Sequence, residues 1–178
     1  RFLAYMFSVA IILLCTLCST DKGKLEDIET YINERPDSAL QVLQSIDISS
    51  LTINEVNHYH LLLAQAKDKC YIDETDDSIM LGVVDHYKSK SDFIKLFRAY
   101  YYLGRIQQNA GRDTDAMYSY TEAEQLLDHI SDDYTKGLLY AQMGALNHRS
   151  LDFNKALAAF NKAYDYYSRA GKTAHVNY

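Results

Sequence analysis

The chain has 178 residues, 48% of them hydrophobic and 24% charged, the composition of a globular protein able to bury one sizeable core or a stack of smaller ones. One Pro and seven Gly argue against a loop-rich all-β design, and 18 Lys+Arg against 24 Asp+Glu, with no basic block, lack the electrostatic footprint of a nucleic-acid binder. Sixteen Tyr and no Trp stand mostly at helical spacing among apolar residues, the pattern of core-and-rim packing rather than of a binding cage.

Residues 1–18, RFLAYMFSVAIILLCTLC, form an apolar run whose one charge is Arg1, and polar STDKGK follows directly. That length and that exit predict an export signal or a membrane anchor over 1–20, and hence a place in the cell envelope. Cys18 followed by Ser19 and Thr20 resembles a bacterial lipoprotein processing site, in which the cysteine is lipidated, although Leu17 stands where that signal has a small residue. A lipoprotein, an uncleaved anchor, a cleaved secretory signal and a buried core strand all remain open readings of the segment. Membrane contact is expected through it alone. Beyond it Cys70 is the only cysteine, so no internal disulfide is expected over 21–178.

From residue 25 onward one period dominates. Leu40, Met80, Tyr120 and Phe160 stand forty apart, as do Leu43, Val83, Ala123 and Ala163, and each pair lies three apart on one helix face. Ahead of the last three pairs, Leu63, Leu103 and Met143 keep the register beside Ala64, Gly104 and Gly144, with His60, Tyr100 and Tyr140 just before them. Asp37-Ser38 and Asp77-Ser78 differ by forty and stand where a helix start is capped. The pattern predicts an all-α domain over 21–178. Its units of two antiparallel helices lie near 25–48, 57–89, 97–130 and 137–170, with an incomplete further helix at 172–178.

Glycine inside a helix costs roughly 1 kcal/mol against alanine. Gly104 and Gly144 are therefore read as points where the second helix of a pair comes close, with Ala116 and Ala156 as the expected facing partners. NAGRD at 109–113 turns the chain between two helices, with Gly111 free to take φ > 0. The expected packing set is Tyr100, Leu103, Gly104, Ala116, Tyr120, Ala123, Tyr140, Met143, Gly144, Ala156, Phe160 and Ala163.

YYYLGRIQQNAGRDTDAMYSYTEAE and LYAQMGALNHRSLDFNKALAAFNKA resemble the tetratricopeptide repeat family in their order of ring, Leu-Gly, Ala, aromatic and Ala. The chain departs from that family in a period of forty rather than thirty-four, in Gln107 and Asn147 where it favours Tyr, in Leu151 where it favours Gly, and in having no repeat-ending Pro. The resemblance implies a right-handed α-solenoid of stacked antiparallel helix pairs. ERPDSAL after an export-like segment is similar to a group of bacterial exported members, some of which continue into a membrane helix and a regulatory output domain. AGKTAHVNY falls where the next first helix should begin, and a solenoid needs a polar cap, so the chain is expected to be an N-terminal fragment.

What the family implies about function is a non-catalytic scaffold that binds a protein or peptide. The alternative is the sensory half of a signalling or transcription-regulating protein whose output domain lies beyond residue 178. In the family, first helices line a concave wall, which here assigns His58, Leu61, Gln65, Asp68 and Lys69, then Arg98, Tyr101, Arg105, Gln108 and Asn109, then Leu138, Ala141, Ala145, His148 and Arg149. Lys69, Arg98, Arg105 and Arg149 make that wall locally positive inside an acidic domain, so an extended peptide bearing carboxylates is the natural ligand.

Sites of other chemistry are not expected. His58 and His60, at i and i+2, face different sides of a helix and make poor joint metal ligands. DETDD at 73–77 lacks the glycine and the terminal Glu of a calcium loop, and like DTD at 113–115 it reads as an acidic helix start. No glycine-rich phosphate loop and no nucleophile motif occur, and Cys70 reads as a structural thiol. No catalytic residue, cofactor or metal is therefore expected, no nucleic acid is expected through this portion, and the oligomeric state is not given by the sequence.

Overall fold

A computed structural model describes residues 21–172. Cys18, the expected signal or anchor over 1–20, and the expected incomplete helix lie outside the described residues, apart from Lys172 itself. Among the described residues all regular structure is helical, eight α-helices and two 3-10 turns with no strand, and none of these helices is long and apolar enough to cross a membrane. The chain divides into two compact units, Arg1–Cys70 and Tyr71–Tyr178, and the boundary falls inside the expected repeat at 57–89.

The first unit contains α1 (Asp21–Tyr31), α2 (Pro36–Gln44), a 3-10 turn (Ile48–Ser50) and α3 (Ile53–Lys69). Pro36 opens α2, where its fixed φ suits the first turn and its missing N–H costs nothing. Thr52 starts α3 through a reciprocal cap: its hydroxyl accepts from the Glu55 amide, and the Glu55 carboxylate accepts from the Thr52 amide at 2.8 Å. Leu25, Ile28 and Ile32 share one core with Leu40 and Leu43 of α2 and Tyr59, Leu62 and Ala66 of α3.

The second unit runs α4 (Ser78–Lys90), α5 (Phe93–Asn109), α6 (Asp113–Glu124), a 3-10 turn (Leu127–His129), α7 (Asp133–Arg149) and α8 (Phe153–Arg169). Aspartates just ahead of α5, α7 and α8, namely Asp92, Asp132 and Asp152, accept hydrogen bonds from amides of the first turn. Helix α5 pairs with α6 and α7 with α8, while α7 also lies against α6 and α4 against α5.

Each of these two hairpins closes on a ring seated against bare backbone. A Cβ at Gly104 would stand 2.4 Å from Cε1 and 2.7 Å from Cδ1 of Tyr120; at Gly144 it would stand 2.6 Å from both Cδ1 and Cε1 of Phe160. The facing partners named from sequence are thus corrected. Ala116 and Ala156 are buried, but the space left by each glycine is filled by the ring four residues further along, because only a ring reaches across to the backbone. A third such contact, Gly137 against Tyr167 with a Cβ distance of 2.6 Å, extends the seam along α7 and α8. Forty residues earlier the same two places hold Phe97 and Leu127, so bulk sits on the first helix instead. There α6 stops at Glu124, and Leu127 is buried from the 3-10 turn that packs on α5.

The turns keep the same beat. Tyr71, Gly111 and Leu151 all have positive φ, at 57°, 73° and 63°. After α5 the Arg112 amide donates to the Gln107 carbonyl at 2.9 Å, and after α7 the Asp152 amide donates to the Asn147 carbonyl at 2.9 Å. Glycine takes this conformation freely, whereas Leu151 pays a left-handed penalty of roughly 1–2 kcal/mol. Its side chain, 72% exposed, recovers little by packing.

Two stability predictions follow from these contacts. Gly104→Ala gains helix propensity but drives a methyl into a Tyr120 ring that is fully buried and whose hydroxyl donates to Gln108 at 2.7 Å. A net loss of about 1–3 kcal/mol is expected, seen as a lowered urea midpoint; an unchanged or raised midpoint would show that the ring yields. Leu151→Gly should stabilise by roughly 0.5–1 kcal/mol, the strain released less the added flexibility of the unfolded chain. Thermal unfolding of the variant checks the sign.

Candidate functional site

Helical phase sorts the residues expected on the wall of the second unit. Arg98, Arg105 and Asn109 lie on one stripe of α5 and are half-buried. Arg105 Nη1 donates to Gln142 Oε1 at 3.1 Å, which joins this stripe to the face of α7 that carries Leu138, Ala141 and Ala145 around Gln142, all half-buried. Arg98 and Arg105 make the α5 stripe cationic, Leu138, Ala141 and Ala145 make the α7 stripe apolar, and the Arg105–Gln142 bond is the contact that links the two.

Others of the expected set stand elsewhere. Tyr101 is buried, packed edge-on against Tyr102 at 5.1 Å and tilted against Tyr120 at 6.0 Å. It belongs to the core because three successive tyrosines cannot all face outward from one helix. Gln108 looks toward α6, where its side-chain oxygen accepts from the Tyr120 hydroxyl. His148 and Arg149 are exposed at the end of α7: His148 meets Phe153 edge-on at 5.6 Å, and Arg149 is paired with Asp113 at the start of α6. Both serve the hairpin tips.

In the first unit, Leu61 and Gln65 are buried, and Gln65 donates to Asn33 Oδ1 at 3.0 Å, so these two are packing residues rather than wall. His58 Nε2 lies 3.1 Å from Glu29 Oε2, joining α3 to α1, while Asp68 and Lys69 are half-buried at the end of α3. Burial lowers the Lys69 pKa, against the opposing effect of Asp68. Cys70 Sγ donates to Asp37 Oδ1 at 3.3 Å, and burial together with that carboxylate pushes its thiol pKa up, the reverse of an activated cysteine.

One polar cluster was not legible beforehand. Asp77 Oδ2 accepts from Arg112 Nη2 at 2.9 Å and from Gln107 Nε2 at 3.0 Å, and Gln107 Oε1 accepts from the buried Ser119 hydroxyl at 2.7 Å. This chain ties the start of α4 to the end of α5 and to α6. Gln107 stands where the family pattern has a ring, and the amide has both the donor and the acceptor that a bridge between Asp77 and Ser119 requires. Ahead of Asp77, residues 72–76 have no regular structure. Tyr71, at the head of that segment, is 94% exposed. In the first turn of α7 the Tyr134 pKa is raised by burial first and then by the charges of Asp132 and Tyr71.

The hydrogen bond from Arg112 is the largest of the influences that hold the Asp77 carboxyl below the usual carboxylate range. Stability from this group is therefore present above the unfolded value near 4, and is lost as pH falls through the lower folded value. Asp77→Ala should cost about 1–3 kcal/mol, since it strands the Gln107 amide and the guanidinium of Arg112. Asp77→Asn should cost less while flattening the acid limb of the stability curve. Urea midpoints measured from pH 7 down to pH 3 test both.

No protein-family model, no curated protein and no solved structure matches this chain.

Proposed function

We propose that the chain is a non-catalytic scaffold of tetratricopeptide type, exported and held at the cell envelope by its N-terminal segment, whose α5–α7 wall binds an extended peptide bearing carboxylates. In this reading its helix pairs stack as a right-handed solenoid. Support for the repeat comes from recurrence in contacts as well as in letters: ring on glycine at Tyr120 and Gly104 recurs at Phe160 and Gly144. The left-handed turn at Gly111 likewise recurs at Leu151.

The observation that carries the ligand class is the bond from Arg105 to Gln142, which joins the α5 stripe of Arg98 and Arg105 to the α7 stripe of Leu138, Ala141 and Ala145. Guanidinium groups match carboxylates in shape and charge, and short side chains beside them let an extended backbone approach. Partly exposed ion pairs are worth only about 0.2–1 kcal/mol each, so binding rests on several weak contacts and falls with salt.

A fluorescein-labelled hexapeptide of alternating Glu and Ala should bind with submillimolar Kd, and its Gln-Ala counterpart should bind more weakly. Arg105→Ala should weaken the acidic peptide about fivefold, roughly 1 kcal/mol. Fluorescence anisotropy reads both; equal binding of the two peptides, or no dependence on Arg105, sinks the reading.

A further inference from the structure

Three helices of the second unit end in the same turn. After α5 the Gly111 and Arg112 amides donate to the Gln108 and Gln107 carbonyls at 3.0 and 2.9 Å, and after α7 the Leu151 and Asp152 amides donate to His148 and Asn147 at 3.0 and 2.9 Å. After α8 the Gly171 and Lys172 amides donate to Ser168 and Tyr167 at 3.1 and 2.9 Å. Gly171 has φ 67°, beside 73° at Gly111 and 63° at Leu151. In the first two cases the turn reverses the chain, and a second helix starts two residues on, at Asp113 and at Phe153, to pack on the first.

Counted from these turns, the second helix is met at fixed places. Seven residues before the turn stand Gly104 and Gly144, covered by Tyr120 and Phe160 nine residues after it. Fourteen before it stand Phe97, which is buried, and Gly137, which meets Tyr167. Eighteen before it stand Phe93 and Asp133, held by His129 and Arg169 eighteen after it. On α8 the same three places hold Tyr164, Leu157 and Phe153, and all are exposed, Tyr164 by 53% and Leu157 by 62%. Their spacing of four and seven puts them on one stripe. Its open flank carries Asn154, Asn161 and Ser168, without charge, while Lys162 and Arg169 turn away to Glu124 and Asp133. An apolar helix face depleted of charge is one that another surface covers.

We propose that residues 173–178, TAHVNY, begin a helix that returns along α8 and covers this stripe, with the seam reversed: α8 supplies the ring, Tyr164, and the returning helix supplies a small residue nine places past the turn. Val176 then takes the place of Ala116 and Ala156, which are both buried. A helix tethered at Lys172 is favoured over a second copy of the chain, because three stripe residues are far fewer than the roughly 20–30 a side of a stable interface between separate chains. Tethering replaces that area by a high effective concentration. This seat is independent of the α5–α7 wall.

Two measurements test the return and the reversed seam. The Val176 amide should donate to the Lys172 carbonyl, as Ala116 does to Arg112 at 3.0 Å and Ala156 to Asp152 at 2.9 Å. Its hydrogen exchange in the full chain should therefore be roughly fivefold or more slower than in acetyl-KTAHVNY-amide. Gly171→Val, which opposes the left-handed turn, should restore the peptide rate while circular dichroism shows the helices kept. Equal exchange in chain and peptide overturns the return. Extending the chain past Tyr178 by about fourteen residues of Ala, Glu and Lys should raise the urea midpoint by about 0.5 M with Ala nine places past the turn, and by less with Phe there. Tyr164→Gly should invert that order. An order that ignores residue 164 overturns the reversed seam. A chain that sediments as a dimer, and as a monomer once Leu157→Lys is introduced, assigns the stripe to a second copy and overturns the returning helix.

Discussion

The second unit depends on an aromatic ring pressed against helix backbone. Wherever α5 and α6, or α7 and α8, approach most closely, one helix supplies a glycine and the other a ring whose carbons occupy the place of the missing Cβ. Dispersion across such a flat contact is individually small but summed over a whole ring edge, and it repays the propensity that glycine costs in mid-helix. It also sets register. Gly137 with Tyr167 and Gly144 with Phe160 are two points on one seam, and a one-residue slip would put side chains where each ring now lies.

Around that seam the same positions are served by different chemistry. Between the start of the first helix and the end of the second, Asp133 accepts from Arg169 at 3.1 Å in the later hairpin, whereas in the earlier one Phe93 stacks on His129 at 4.3 Å. Tyr140 donates to Glu124 at 2.8 Å and carries Lys162 over its ring at 4.5 Å. Tyr100 has Glu122, in the place of Lys162, beside its phenol, and burial with that carboxylate pushes its pKa up to about 12. Geometry repeats because the rings and glycines repeat. The rim varies because partly exposed ion pairs and stacked rings are of similar small worth.

This division bears on function. The contacts that close each hairpin lie between its own helices and at its tips, while Arg105 of α5 is bonded across to Gln142 of α7. Gln107 and Asp77 tie the end of α5 to the start of α4. The proposed wall could therefore vary in sequence without disturbing the seam, since Arg98, Arg105 and Asn109 are not among the residues that meet at the glycines.

How much was legible in the sequence follows from the range of each interaction. The helices, their forty-residue spacing and the sharp turn at Gly111 are written in local periodicity and backbone preference, so Leu103, Ala123, Tyr140 and Ala163 could be marked as a repeating pattern from spacing alone. Spacing also showed that Gly104 and Gly144 needed an explanation, but not what they met: whether Ala116 or Tyr120 fills the gap depends on how far a side chain reaches across a pair, a distance no linear pattern contains. Tyr101 and Gln108 were assigned outward by phase and lie inward, because a helix packed on several sides has little truly open face. The meeting of Asp77 with Arg112 and Gln107, and of Arg105 with Gln142, joins residues about thirty to forty apart through polar groups that follow no period. Sequence by itself determined which stretches are helical and where they repeat, since those are local free energies; only tertiary structure decided which side chains are buried, paired or left on the wall, since these depend on what the neighbouring helix brings.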